Sequence, residues 1–150
     1  MNKKLFIAMF TVITQTHAIS SLKFINDDPD GVRSPIPPCV ILHNDKVEQV
    51  SPQGTLTISL NPQQSITLLR PLTNLMATNT YYKFTATLTT TEPDAHGKTF
   101  EAHSHDVFDF SKTLNGIDKY SIMLNEHTTL EVQSHPEVRL VNNQFVEIQN

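Results

Sequence analysis

The chain has 150 residues, 11 of them Lys or Arg and 15 Asp or Glu, for a formal net charge of −4. That balance argues against nucleic acid and anionic membrane as partners, because both need clustered Lys and Arg. The single cysteine excludes an internal disulfide, so stability has to come from packing.

At the N-terminus, Lys3 and Lys4 abut the apolar run Leu5–Ile13, and a short polar stretch ends at Ala18. A basic start, a short apolar core and a small residue at the cut are the marks of a secretory leader. The run is shorter than the roughly 20 apolar residues that span a bilayer, and no later segment is long and apolar enough to be a transmembrane helix. Residues 1–18 are therefore expected to be a signal peptide, cut between Ala18 and Ile19. Cleavage leaves nine basic and 15 acidic residues, a formal charge of −6. The mature protein is expected to be secreted, periplasmic or extracellular. The leader, the lone cysteine and the lack of any Asn-x-Ser/Thr acceptor suit a Gram-negative bacterium.

Residues 19–38 read as an irregular, Pro-rich entry segment. Asn26-Asp27-Asp28-Pro29-Asp30-Gly31 is dense in turn formers, and Pro35, Pro37 and Pro38 cannot continue a ladder. The segment admits a short strand at Leu22–Ile25. Cys39 follows two prolines and precedes Val40-Ile41-Leu42. Burial is expected for it, and its distance from the leader speaks against a lipid anchor.

From residue 39 to 150 the chain reads as strands separated by turns. In Thr55–Leu60 apolar and hydroxyl residues alternate, so Leu56, Ile58 and Leu60 share one face. Asn61-Pro62-Gln63-Gln64 interrupts, and Ser65–Leu68 alternates again. A hairpin with a four-residue loop is expected between these two runs. Tyr82–Thr89 is a longer strand with Tyr82, Phe84, Ala86 and Leu88 facing the core and Lys83 and threonines facing solvent. Pro93–Gly97 is a turn. Further strands are expected at Thr99–Phe110, Tyr120–Leu124, Thr128–Gln133, Glu137–Val141 and Gln144–Ile148. Asn142-Asn143 supplies the left-handed residues of a tight hairpin between the last two. The best helical stretch, Leu69–Ala77, is opposed by Pro71 and Thr73. Eight or nine short strands in one domain predict an all-β, antiparallel β-sandwich, Ig-like or jelly-roll-like. Four glycines are few for a small closed barrel.

Six histidines follow the leader, and two of them form His103-Ser104-His105. If Thr99–Phe110 is one strand, Phe100, Ala102, Phe108 and Phe110 face the core, while Glu101, His103, His105 and Asp109 share the opposite face. Two imidazoles flanked by two carboxylates form a candidate site for a divalent transition metal such as Zn, Cu or Ni. The same strand also reads as an ordinary solvated sheet face. Gly97, His103, His105, Asp109 and Gly116 fall at the separations of the first cupin motif, with Asp in place of Glu. This 20-residue stretch resembles that motif, and the resemblance implies a metal-dependent jelly roll. The second cupin motif, a third His beside Pro and Gly, has no counterpart, since no glycine follows Gly116.

Other catalytic patterns are lacking. There is no Gly-x-Ser-x-Gly elbow and no Walker-type loop. Cys39 and His43 on one strand would stand well over 10 Å apart, too far for a catalytic pair. Tyr81-Tyr82 and the threonine face at Thr85, Thr87 and Thr89 are a candidate surface for a carbohydrate or protein partner. The sequence as a whole predicts a small secreted β-sandwich acting as a non-catalytic binding or structural module without a cofactor. The alternative is a metal-binding protein, or a cupin-like metal-dependent enzyme, built on His103 and His105.

Overall fold

A computed structural model describes residues 20–29, 36–61, 63–72, 78–91 and 97–148. The leader expected at 1–18 and its cut lie outside these residues, as does His96. The alternating runs at Thr55–Leu60, Ser65–Leu68 and Tyr82–Thr89 are extended. The described strands are β1 (Ser20–Ile25), β2 (Cys39–His43), β3 (Lys46–Val50), β4 (Thr55–Leu60), β5 (Ser65–Pro71), β6 (Thr80–Thr90), β7 (Thr99–His103), β8 (Lys119–Asn125), β9 (Thr128–Val141) and β10 (Gln144–Glu147). Two short helices, α1 (Ser104–Val107) and α2 (Phe110–Leu114), follow β7. The fold is an all-β sandwich.

One sheet has three strands in the order β4-β1-β7. The other has seven, in the order β10-β9-β6-β5-β2-β3, with β8 also paired to β9. Every pairing is antiparallel except that of β1 with β7, which is parallel. The inward faces meet in one core. Leu22 and Phe24 of β1, Ile58 and Leu60 of β4, and Phe100 and Ala102 of β7 pack against Ile41, Ile66, Leu68, Phe84, Ala86, Leu88, Leu130 and Val132 of the larger sheet. A smaller cluster of Val40, Leu69 and Val138 is packed by Leu42, Tyr81 and Phe145.

The β6 face assignment holds: Phe84, Ala86 and Leu88 are buried, and Tyr82 packs against them. The tight turn at Asn142-Asn143 also holds, with φ of 50° and 64° joining β9 to β10. Four expectations need correction. The entry segment is not irregular throughout: β1 is the middle strand of the smaller sheet, so the sandwich begins before residue 39. β4 and β5 do not form a hairpin, because β4 pairs with β1 whereas β5 pairs with β2 and β6. The chain therefore passes from one sheet to the other between β4 and β5. The strands expected at Thr128–Gln133 and Glu137–Val141 are one strand, β9. Pairing steps from Lys83 with His135 to Tyr81 with Val138, so Pro136 and Glu137 together oppose Tyr82. A bulge of this kind tolerates a proline that cannot donate to the ladder. Finally, the strand expected at Thr99–Phe110 stops at His103, and α1 and α2 occupy its second half.

Candidate metal centre

The centre begins where β1 ends. Beyond Ile25 the chain is bracketed by its own polar groups. Asn26 is fully buried; its side-chain amide donates to the Val50 carbonyl at 2.8 Å, and its side-chain oxygen accepts from the Asp28 N–H at 2.9 Å. The Asn26 main chain bonds to Gly54 and Gln53 in the turn between β3 and β4. Asp28 is buried and meets Arg70 at 2.8 Å. The Arg70 guanidinium also lies over the rings of Phe108 and Phe110. A buried carboxylate needs such a partner to offset its lost hydration. Between these two anchored residues, Asp27 turns its carboxylate toward β7 and α1.

The other side of the centre is His103-Ser104-His105. His103 ends β7 on the face opposite Phe100 and Ala102, as strand alternation requires. The chain then turns into α1, which buries Ser104 and brings the His105 ring back beside His103. The ring centroids are 5.7 Å apart. His103 Nδ1 lies 3.1 Å from Asp27 Oδ1, and His105 Nδ1 lies 2.5 Å from Asp27 Oδ2. One ligand atom from each of the three residues falls within 4.8 Å of the others. The cluster is open to solvent: the side chains of Asp27, His103 and His105 are 28%, 40% and 66% exposed.

The charges support one another. Partial burial pushes the Asp27 carboxyl up, but hydrogen bonds from His103 and His105 outweigh it and hold the group below its ordinary value. The bond to Asp27 raises His105, against a small opposing effect of burial, and the charge of Asp106 adds to the rise. Asp106 Oδ1 stands 3.4 Å from His105 Nε2.

Of the four residues singled out from the sequence, His103 and His105 come together and the two carboxylates do not join them. Glu101 stays on the outer face of β7, 4.0 Å from Lys23. Asp109 caps α2, accepting from the Ser111 N–H at 3.2 Å and the Ser111 hydroxyl at 2.6 Å. It thus leaves the position that the cupin-like spacing assigned to a ligand. Gly97 and Gly116 of that spacing have φ of 79° and 80°, which turns require and which other residues rarely adopt. Asp27 was missed because it lies in a stretch of turn formers, 76 residues from His103. Its only signal was the carboxylate-rich turn after an alternating run.

The remaining described histidines are engaged elsewhere. His43 Nε2 meets Glu48 at 2.7 Å, His127 lies 3.5 Å from Glu126, and His135 Nε2 meets the Thr85 hydroxyl at 2.8 Å. Burial holds His135 below its ordinary value. A cavity of about 390 Å³ between β6, β9 and α2, walled by Tyr82, Phe84, Phe110 and His135, contains none of the three clustered residues. On the threonine face, Thr85 is bonded to His135, and the Thr87 hydroxyl is 2.6 Å from that of Ser65. No helix among the described residues is long and apolar enough to cross a membrane. No family model, curated protein or solved structure matches the chain.

Proposed function

We propose that this chain is an exported β-sandwich protein that binds a divalent transition metal through Asp27, His103 and His105. The observation that carries the reading is the convergence of three ligand atoms within 4.8 Å from two segments far apart in sequence. Two imidazoles and one carboxylate suit Zn, Cu or Ni. A binding role is favoured over catalysis because the polar neighbours are already engaged. The Ser104 hydroxyl accepts from the Asp27 N–H, and Asp106 faces His105. Export rests on the basic and apolar order of residues 1–18.

A second reading is favoured by the 2.5 Å contact between His105 and Asp27. In it the cluster is a metal-free clasp that ties the end of β1 to α1, within a passive module whose partner is a protein or a carbohydrate. The carbohydrate version is weakened by Thr85 and Thr87, whose hydroxyls are spent on cross-strand bonds. Thermal melts of dialysed mature protein with and without Zn, Cu or Ni separate the two readings. Binding to the native state alone stabilises it by about 2.7 kcal/mol when free metal is 100 times the dissociation constant. A rise in Tm at neutral pH supports the metal site. No rise with any of the three metals leaves the clasp.

A further inference from the structure

We infer that Ser104 is the positioning residue of this centre: its hydroxyl fixes the main chain of Asp27, so that the carboxylate meets the two histidines flanking Ser104 in sequence. The inference rests on the metal-binding reading above. Ser104 is 1% exposed, although both of its neighbours in the chain reach solvent. Its Oγ accepts the Asp27 N–H at 2.8 Å across 77 residues of sequence. The tripeptide therefore grips Asp27 twice, by the backbone through Ser104 and by the carboxylate through His103 and His105.

The bond matters because of where Asp27 sits. Its neighbours Asn26 and Asp28 are held toward the core, by Val50 and by Arg70. The peptide between Asn26 and Asp27 is held on both edges: its carbonyl, that of Asn26, accepts from the Gln53 N–H at 2.9 Å, and its N–H donates to Ser104. The Asp27 carbonyl accepts from the Gln53 side-chain amide at a long 3.4 Å. Only the Ser104 bond ties the peptide N–H of Asp27 to the element that carries the histidines. A ligand held before the metal arrives loses less freedom on binding. Groups that orient metal ligands typically change affinity about 10–100-fold when removed.

The test is the Zn(II) dissociation constant of the mature protein at neutral pH, measured by competition with a chromophoric chelator for wild type, Ser104→Ala, Ser104→Thr and Ser104→Val. Circular dichroism checks that each variant is folded. Ser104→Ala is expected to bind about tenfold or more weakly. Ser104→Thr keeps the oxygen and should restore most of the affinity, whereas Ser104→Val has the shape of Thr without the oxygen and should not. The Thr and Val comparison carries the test if Ser104→Ala fails to fold. Cu(II) electron paramagnetic resonance of the folded variants should show an altered copper environment in Ser104→Val and an unaltered one in Ser104→Thr, a difference that a purely structural role would not produce. Wild-type affinity in Ser104→Ala or Ser104→Val overturns this inference alone. No zinc binding by the wild type overturns the metal-binding reading and this inference with it.

Discussion

His105 Nδ1 lies 2.5 Å from Asp27 Oδ2, although 78 residues separate them in sequence. The contact joins the end of a central strand to a helical turn after an edge strand, and it couples the protonation of the two groups. Asp27 titrates below its ordinary value and His105 above its own. A raised histidine contributes stability that is fully present below its unfolded value, near 6.5, and lost as pH rises through its folded value. A lowered carboxyl contributes stability present above its unfolded value, near 3.9, and lost as pH falls through its folded value. The metal-free clasp should therefore act mainly between about pH 4 and 6.5. Melts of metal-free Asp27→Asn should fall furthest below wild type in that window, and the gap should narrow on either side. NMR titration should show the His105 value of Asp27→Asn moving down toward the ordinary one. An unmoved His105 would contradict the coupling. Metal needs neutral imidazole, so on the proposed metal-binding reading zinc affinity should run the other way and weaken as pH falls through the raised His105 value.

The two faces of β6 give a stability test. Phe84 is buried and meets Phe108 edge-on, with centroids 5.1 Å apart. Phe84→Ala should cost about 3–5 kcal/mol in chemical denaturation. Thr85, on the opposite face, is bonded to His135, so Thr85→Ala should cost about 0.5–1.5 kcal/mol. The reverse order of costs would contradict the facing of β6.

That facing was legible because strict alternation leaves one arrangement that buries Phe84, Ala86 and Leu88. The turn at Asn142-Asn143 was legible because few residue types tolerate its backbone. The region after His103 was misread because Phe100, Ala102, Phe108 and Phe110 keep the parity of a strand through a segment that is helical. A helix signal was present in Asp109 as a cap and Gly116 as a stop. Strand parity also put Glu101 and Asp109 beside the histidines, whereas the turn at Ser104 took Asp109 away. The third member of the cluster could not be read locally, because the parallel pairing of β1 with β7 that brings Asp27 to the histidines is a property of the tertiary fold.

Cys39 should be inert in the native state. It is 1% exposed, and burial, helped by the charge of Asp28 and opposed by Arg70, pushes its thiol up to about 12. Thiolate is the reactive form. Alkylation with iodoacetamide near pH 8 should be negligible in native protein and complete in denaturant. Rapid labelling of native protein would contradict the burial.

Export makes a separate prediction, from the basic, apolar and small-residue order of residues 1–18. N-terminal sequencing of the exported protein should begin at Ile19. A mature protein that keeps Met1 would contradict the leader.

Calorimetric titration of metal-free mature protein with Zn(II) at neutral pH is the most direct test of the centre. One zinc per chain should bind to wild type, Glu101→Ala and Asp109→Ala, because Glu101 pairs with Lys23 and Asp109 caps α2. That binding should be abolished in Asp27→Ala, His103→Ala and His105→Ala. The account is contradicted if wild type takes up no zinc, if binding survives the loss of Asp27, or if Asp109→Ala loses binding that Asp27→Ala keeps.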